Sequence, residues 1–158
     1  MISQPAYERL QRLADRLREQ TGASRTTVRA RAGDDPVALL AESLAPGVES
    51  MADGQQPAAI VAAPTYLVLS QTRTILVQDD CVHGGPEPPR SLIERYRVRA
   101  QMLAPVLDGE TMAGTISVHQ PGREADRRRT DREQQPPALP DGGGRHPGRG
   151  RRRSPQPR

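Results

Sequence analysis

The pair Asp108-Gly109 stands between two arms, AQMLAPVL (100–107) and TMAGTISVH (111–119). Asp-Gly is a favoured centre for a tight β-hairpin, because both central residues of that turn need a positive φ. In the second arm Ile116 and Val118 share one face while Ser117 and His119 share the other, the period-two alternation of a strand. The chain is therefore committed to an antiparallel pair late in its length. Pro105 has no amide hydrogen to give a ladder, so its arm is expected to lie partly at an edge or bulge.

Upstream, Tyr7, Leu10, Leu13, Ala14 and Leu17 recur at helical spacing, and Glu8 lies four residues ahead of Arg12 in the favourable ion-pair order. Thr21-Gly22 stops this helix. Residues 24–31 (SRTTVRAR) alternate, with Thr26, Val28 and Ala30 on one side and Arg29 and Arg31 on the other, which predicts a half-buried strand. Gly33-Asp34-Asp35-Pro36 breaks it. Residues 37–44 (VALLAESL) predict a short helix. Residues 63–73 predict another, with Pro64 tolerated in its first turn. Residues 74–80 (TILVQDD) predict a short strand, and residues 91–96 a helix of one or two turns. This order defines an α+β domain with a mostly antiparallel sheet and flanking helices.

Charge divides the chain. Up to His119 there are 12 Arg and 14 acidic residues; from Gln120 on there are 11 Arg and 5 acidic residues. The net charges of −2 and +6 make up the overall +4, so the basic character belongs to residues 120–158. Pro, Gly and Arg at that density cannot build a core, and this segment is expected to be a disordered tail. Thr130-Asp131-Arg132-Glu133 has the form of a helix-capping box, yet Pro136, Pro137 and Pro140 follow at once. Every basic residue of the chain is Arg and there is no Phe or Trp, the usage of a GC-rich gene. An alternate frame of such a gene yields Arg, Pro and Gly, which makes a disrupted reading frame near residues 120–135 the expected origin of the tail.

Cys81 is the only cysteine, so no internal disulfide forms and a reducing compartment is expected. The start MISQPAYERLQRL has no apolar core of a secretion signal, and the apolar patch at 57–64 is too short to cross a bilayer. The expectation is a cytoplasmic protein without a membrane segment. Asp79-Asp80-Cys81-x-His83 offers metal-ligand chemistry, but no second Cys or His lies at zinc-site spacing, and no metal is expected. Ser117 and His119 lack a nucleophile elbow, and His119 reads as a polar strand end. Gly142-Gly143-Gly144 lacks the Lys-Ser/Thr of a phosphate loop. Tyr66, Ile75, Val77, Asp79 and Met102 are the candidate lining of a pocket between sheet and helix. In the tail, Arg149, Arg151, Arg152 and Arg153 can contact phosphates without sequence preference, which gives an alternative reading as a nucleic-acid-associated protein.

The stretch from Arg99 to His119 (RAQMLAPVLDGETMAGTISVH), with ILVQDD at 75–80, LIERYRVRA at 92–100 and LADRLREQTGASRTTVRAR at 13–31, resembles the GAF domain, a small sensor module. The resemblance spans residues 5–119 and extends towards Glu133. It implies a central antiparallel sheet with helices packed on it, and in many members a pocket on one face for a small molecule. It further implies a signalling role without catalysis, a signalling partner or homodimer, and a last helix beside the first. That last helix is expected to be missing or disrupted here, which would expose the apolar stripe of the first. Some members reduce free methionine sulfoxide with several cysteines; a lone Cys81 leaves no resolving thiol. Covalent tetrapyrrole attachment also needs a suitably placed cysteine, and the residues around Cys81 match that motif poorly.

Overall fold

A computed structural model of the protein describes residues 3–122. Helix α1 (Gln4–Thr21) leads into the hairpin of β1 (Arg25–Ala32) and β2 (Asp35–Leu44). Two short helices follow, α2 (Pro57–Val61) and α3 (Pro64–Thr72), then β3 (Leu76–Gln78), α4 (Arg90–Glu94), and the long hairpin of β4 (Val98–Asp108) and β5 (Thr111–Pro121). The five strands form one sheet in the order β2-β1-β5-β4-β3, every neighbouring pair antiparallel. The α+β class read from the sequence is the class observed. The capping box, the expected last helix and the tail from residue 123 lie outside the described residues.

The late hairpin forms as expected but turns one residue later than read: Asp108 pairs with Thr111, so the loop is Gly109-Glu110, and Gly109 supplies the positive φ of 59° that an Asp would take only under strain. Pro105 pairs with Thr115 on its β5 side. On its other side β3 pairs only with Gln101 to Leu103, so the ring nitrogen of Pro105 interrupts no ladder. Residues 37–44 depart from expectation: they are β2, not a helix. The run VALLAESL satisfies both periods, and pairing with β1 over the full length of that hairpin decides between them. The apolar patch at 57–64, read only as too short for a membrane, holds α2. Among the described residues no helix is long and apolar enough to cross a membrane.

The sheet is covered on both faces of β1. On one side α1 seats Ala14 against Val28 and Ala41, with Leu10 and Ile116 at the margin of the cluster. Gln11 donates to the Glu42 carbonyl at 2.9 Å and the Arg18 Nε to the Ser43 hydroxyl at 3.0 Å, fixing α1 over β2. Tyr7 and Leu13 of the same helix are exposed. On the other side α2, α3, α4 and the loops around them form a roof. A second cluster of Met51, Cys81, Leu92, Tyr96 and Val98 closes one end of it.

Register across β1 and β5 depends on a close approach at Gly114, which faces Ala30. A Cβ at Gly114 would collide with the Arg29 carbonyl oxygen and stand 2.9 Å from Ala30 Cβ. Both obstacles belong to β1, an interior strand paired on both sides, and cannot swing aside. Gly114→Ala is therefore expected to lower unfolding free energy by about 1–3 kcal/mol, read as a lower urea midpoint at unchanged m-value.

Candidate functional site

Strand alternation places Arg25, Thr27 and Arg29 of β1 on the roofed face, beside His119, Ser117 and Thr115 of β5 in direct register. Gln101 and Leu103 of β4 continue the row opposite His119 and Ser117. This face is polar and buried together, an arrangement that needs partners for each group. Between it and the roof lies a cavity of about 50 Å³. Thr27, Arg29, Gln101, Thr115, Ser117 and His119 form its floor, while Ile60, Tyr66, Leu69 and Leu92 contribute apolar walls. A space of that size holds a few water-sized atoms.

Arg25 is held from several directions, although its Nε makes no hydrogen bond. Its Nε lies 3.4 Å from Glu42 Oε1, its Nη2 donates to the Glu49 carbonyl, and its guanidinium stacks 5.1 Å from the Tyr96 ring centre. Arg95 stacks on that ring as well, at 5.2 Å, and pairs with Glu49. Arg29 differs. It donates to the Val37 carbonyl at 3.1 Å and to Gln55 Oε1 at 2.8 Å, both neutral acceptors. Burial pulls the pKa of both guanidiniums down, opposed mainly by the Glu42 carboxylate. Arginine nonetheless stays protonated in proteins, so both remain cations.

His119 is 3% exposed, and its Nδ1 has no hydrogen-bond partner. Burial, and then the nearby Arg25 and Arg29 charges, push its pKa down to about 3. The ring is therefore neutral at physiological pH. Gln101 donates to Gln78 Oε1 at 2.6 Å, and Gln78 in turn donates to the Gly84 and Pro86 carbonyls, each at 2.9 Å. That chain of carboxamides ties the cavity floor to the loop that precedes α4.

Of the five residues expected to line a pocket, Tyr66 lies at the cavity. Val77 and Met102 pair with each other and stand on the opposite face, where α1 does not reach them; they are 58% and 40% exposed. Ile75, ahead of β3, is 60% exposed, and Asp79 is exposed past its end. The reason is parity: Leu76 and Gln78 take the roofed side of β3, so Val77 cannot. Asp80 and His83 meet at 2.9 Å in an exposed turn, and among the described residues no group of three His, Cys, Asp or Glu is placed to hold a metal. Arg149, Arg151, Arg152 and Arg153 lie outside the described residues. The sequence reading missed Arg29, placed there on a solvent side, and His119, taken for a polar strand end. The available signal was the row of polar residues on one face of both β1 and β5.

A family model described as GAF domain matches residues 6–135, and the chain belongs to that family. The fold agrees with solved structures. The blue-light-absorbing form of the Thermosynechococcus elongatus PixJ GAF domain is 20% identical at a TM-score of 0.55, over 72% of this chain and 68% of that one. A phycocyanobilin-bound GAF domain from a cyanobacterial phytochrome is 15% identical at 0.58, over 73% and 70%. The GAF domain of a phosphoenolpyruvate-protein phosphotransferase from Coxiella burnetii is 15% identical at 0.56, over 72% and 66%. No curated protein sequence matches the chain. GAF domains are sensory and ligand-binding modules, and this chain is one of them.

Two outcomes follow from the buried charges. Glu42→Gln removes the carboxylate facing a fully enclosed Arg25 and is expected to cost about 3–5 kcal/mol of stability, measured by denaturant unfolding. For His119 the unfolded chain takes up a proton below the ordinary pKa of 6.5, while the folded chain resists until about 3. Stability is thus fully present above 6.5 and falls as pH drops through that window. Wild type should lose up to about 1.4 kcal/mol per pH unit more than His119→Asn between those limits. Parallel pH–stability curves for the two proteins would contradict the burial of His119.

Proposed function

We propose that the protein is a non-catalytic GAF sensor that binds a small molecule in the cavity between the sheet and the α2–α3–α4 roof. The observation that carries this is a buried polar floor with an unpartnered His119 Nδ1, facing a partly open cavity. A purely structural core on that face would be apolar or fully paired. The roof is built of three short helices, which a ligand can shift as a unit against the sheet. The output is then a change in the surface that the roof presents to a signalling partner. In this reading the sensor is the unit of sheet and helices whose last strand ends at Pro121.

The chemistry of the thiol supports binding over redox turnover. Cys81 packs among Met51, Leu92, Tyr96 and Val98, away from the cavity lining. Burial there, and then the Asp80 charge, push its pKa up to about 11. The thiolate that redox exchange or covalent tetrapyrrole attachment requires is disfavoured. A cavity of about 50 Å³ also has no room for a tetrapyrrole in this conformation.

The test is a thermal-shift screen of the full chain against a small-molecule library, repeated on Ser117→Val. Valine suits a strand, and its extra methyl groups enter the cavity. Ligands present at a hundred times Kd should add about 2.7 kcal/mol, several degrees in Tm. Those gains should vanish in Ser117→Val while its unliganded Tm stays near wild type. Hits that survive the substitution would place binding elsewhere.

A further inference from the structure

Arg29 is the one charged side chain on the cavity floor, and the fold gives it no carboxylate at ion-pair distance; Glu42 and Asp35 act on it only from further away. The roofed face buries two guanidiniums, and Glu42 sits against Arg25. Arg29 is 8% exposed, and no carboxylate among the described residues lies within ion-pair distance of it. Its two hydrogen-bond acceptors are a carbonyl and a carboxamide, so three of the five guanidinium donors have no protein acceptor among the described residues. A structural arginine would be paired at this depth, because an unpaired buried charge opposes folding.

We propose that the ligand of this cavity carries an anionic group, a carboxylate or a phosphate, that binds Arg29. This rests on the reading of the cavity as the ligand site and names the chemistry of its ligand. The neighbours fit an anion. Thr115 stands directly across the ladder from Arg29, and Thr27 and Ser117 form the next pair along, so three hydroxyl donors flank the guanidinium. The neutral His119 supplies a ring that can present its Nδ1 as a donor. No acidic side chain lines the cavity. The apolar walls at Ile60, Leu69 and Leu92 call for a small apolar body on the other end of the ligand.

The same geometry links binding to the roof. Gln55 holds Arg29 through one bond and lies in the segment that leads into α2. A charged acceptor outcompetes a carboxamide for the same guanidinium hydrogen. An anion that extends from the open donors onto the nitrogen bonded to Gln55 releases Gln55, and with it the approach to α2.

The experiment is an NMR titration of the full-length, nitrogen-15-labelled chain with acetate, inorganic phosphate and acetamide at fixed ionic strength. Acetamide has the shape of acetate without the charge. The Arg29 Nε–H and the Thr115 and Ser117 amides are followed. Acetate or phosphate should shift them saturably and acetamide should not; whichever anion acts identifies the group. Arg29→Gln should weaken that anion at least about tenfold. If this variant does not fold, the comparison of acetate with acetamide in wild type decides alone. Equal shifts from acetamide and acetate would overturn the anionic assignment and leave the cavity as a ligand site. Silence from all three probes would overturn it too. Neutral library hits lost in Ser117→Val would then keep the ligand reading alive, and their absence would end both.

Discussion

Two guanidiniums are buried on one strand of a small domain, and the rest of the structure is arranged around them. Removing a guanidinium from water costs several kcal/mol unless charge and hydrogen bonds replace the solvent. Arg25 receives both, from Glu42, the Glu49 carbonyl and the Tyr96 face. These partners come from β2, from the loop after it and from the chain just before β4. Arg25 therefore ties three separate parts of the sequence to β1. Glu42 also accepts from the Ser50 hydroxyl and the Met51 amide, which fixes the start of the loop that carries Gln55. One ion pair thus orients both the strand and the segment that reaches Arg29.

The fold was more legible in the sequence than the site was. The late hairpin, though its turn falls one residue later than read, the first helix and the tolerance of Pro105 each rest on a local rule that tertiary structure has little power to overturn. Residues 37–44 were not legible, because eight apolar-rich residues fit a helix and a strand equally, and only the neighbouring β1 settles which. The site failed for a related reason. Alternation along residues 24–31 shows that two faces differ, not that both are covered. Arg29 looks like a solvent residue until a roof closes over it. Met102 and Val77 look like pocket residues for the converse reason: they are apolar, and their face is left open where α1 ends.

This inversion has a physical logic. The α1 face carries the apolar Val28 and Ala41 under α1, with Thr26 and Ser43 as its buried hydroxyls, and Ser43 accepts from Arg18. The roofed face carries Arg, Thr, Ser, Gln and His and must be satisfied group by group. A domain whose role is only to persist would not place its polar row there, since apolar residues of equal volume are commonly neutral or stabilising replacements for buried charge. Retaining a row that is only partly satisfied is how functional sites depart from stability rules. Arg25 Nε, Thr26 Oγ1 and Tyr96 OH are also buried without a hydrogen-bond partner, but the orphaned His119 Nδ1 and the carboxylate-free Arg29 are the departures that lie on the cavity.

What such a site can transmit is limited by what it can distinguish. A ligand shifts a conformational balance only by its difference in affinity for the two states. A neutral ligand in this cavity would make similar contacts whether Gln55 was bonded to Arg29 or not, and would move the roof little. A charged one competes for the same guanidinium hydrogens as Gln55, so it favours the state in which that bond is broken. The strength of the signal is then set by the gap between a charge-assisted hydrogen bond and a neutral one, roughly a factor of two in strength. In the proposed reading, the carboxylate-free Arg29 on the floor is thus a single feature with two consequences: it selects the ligand and couples that ligand to the helices above it.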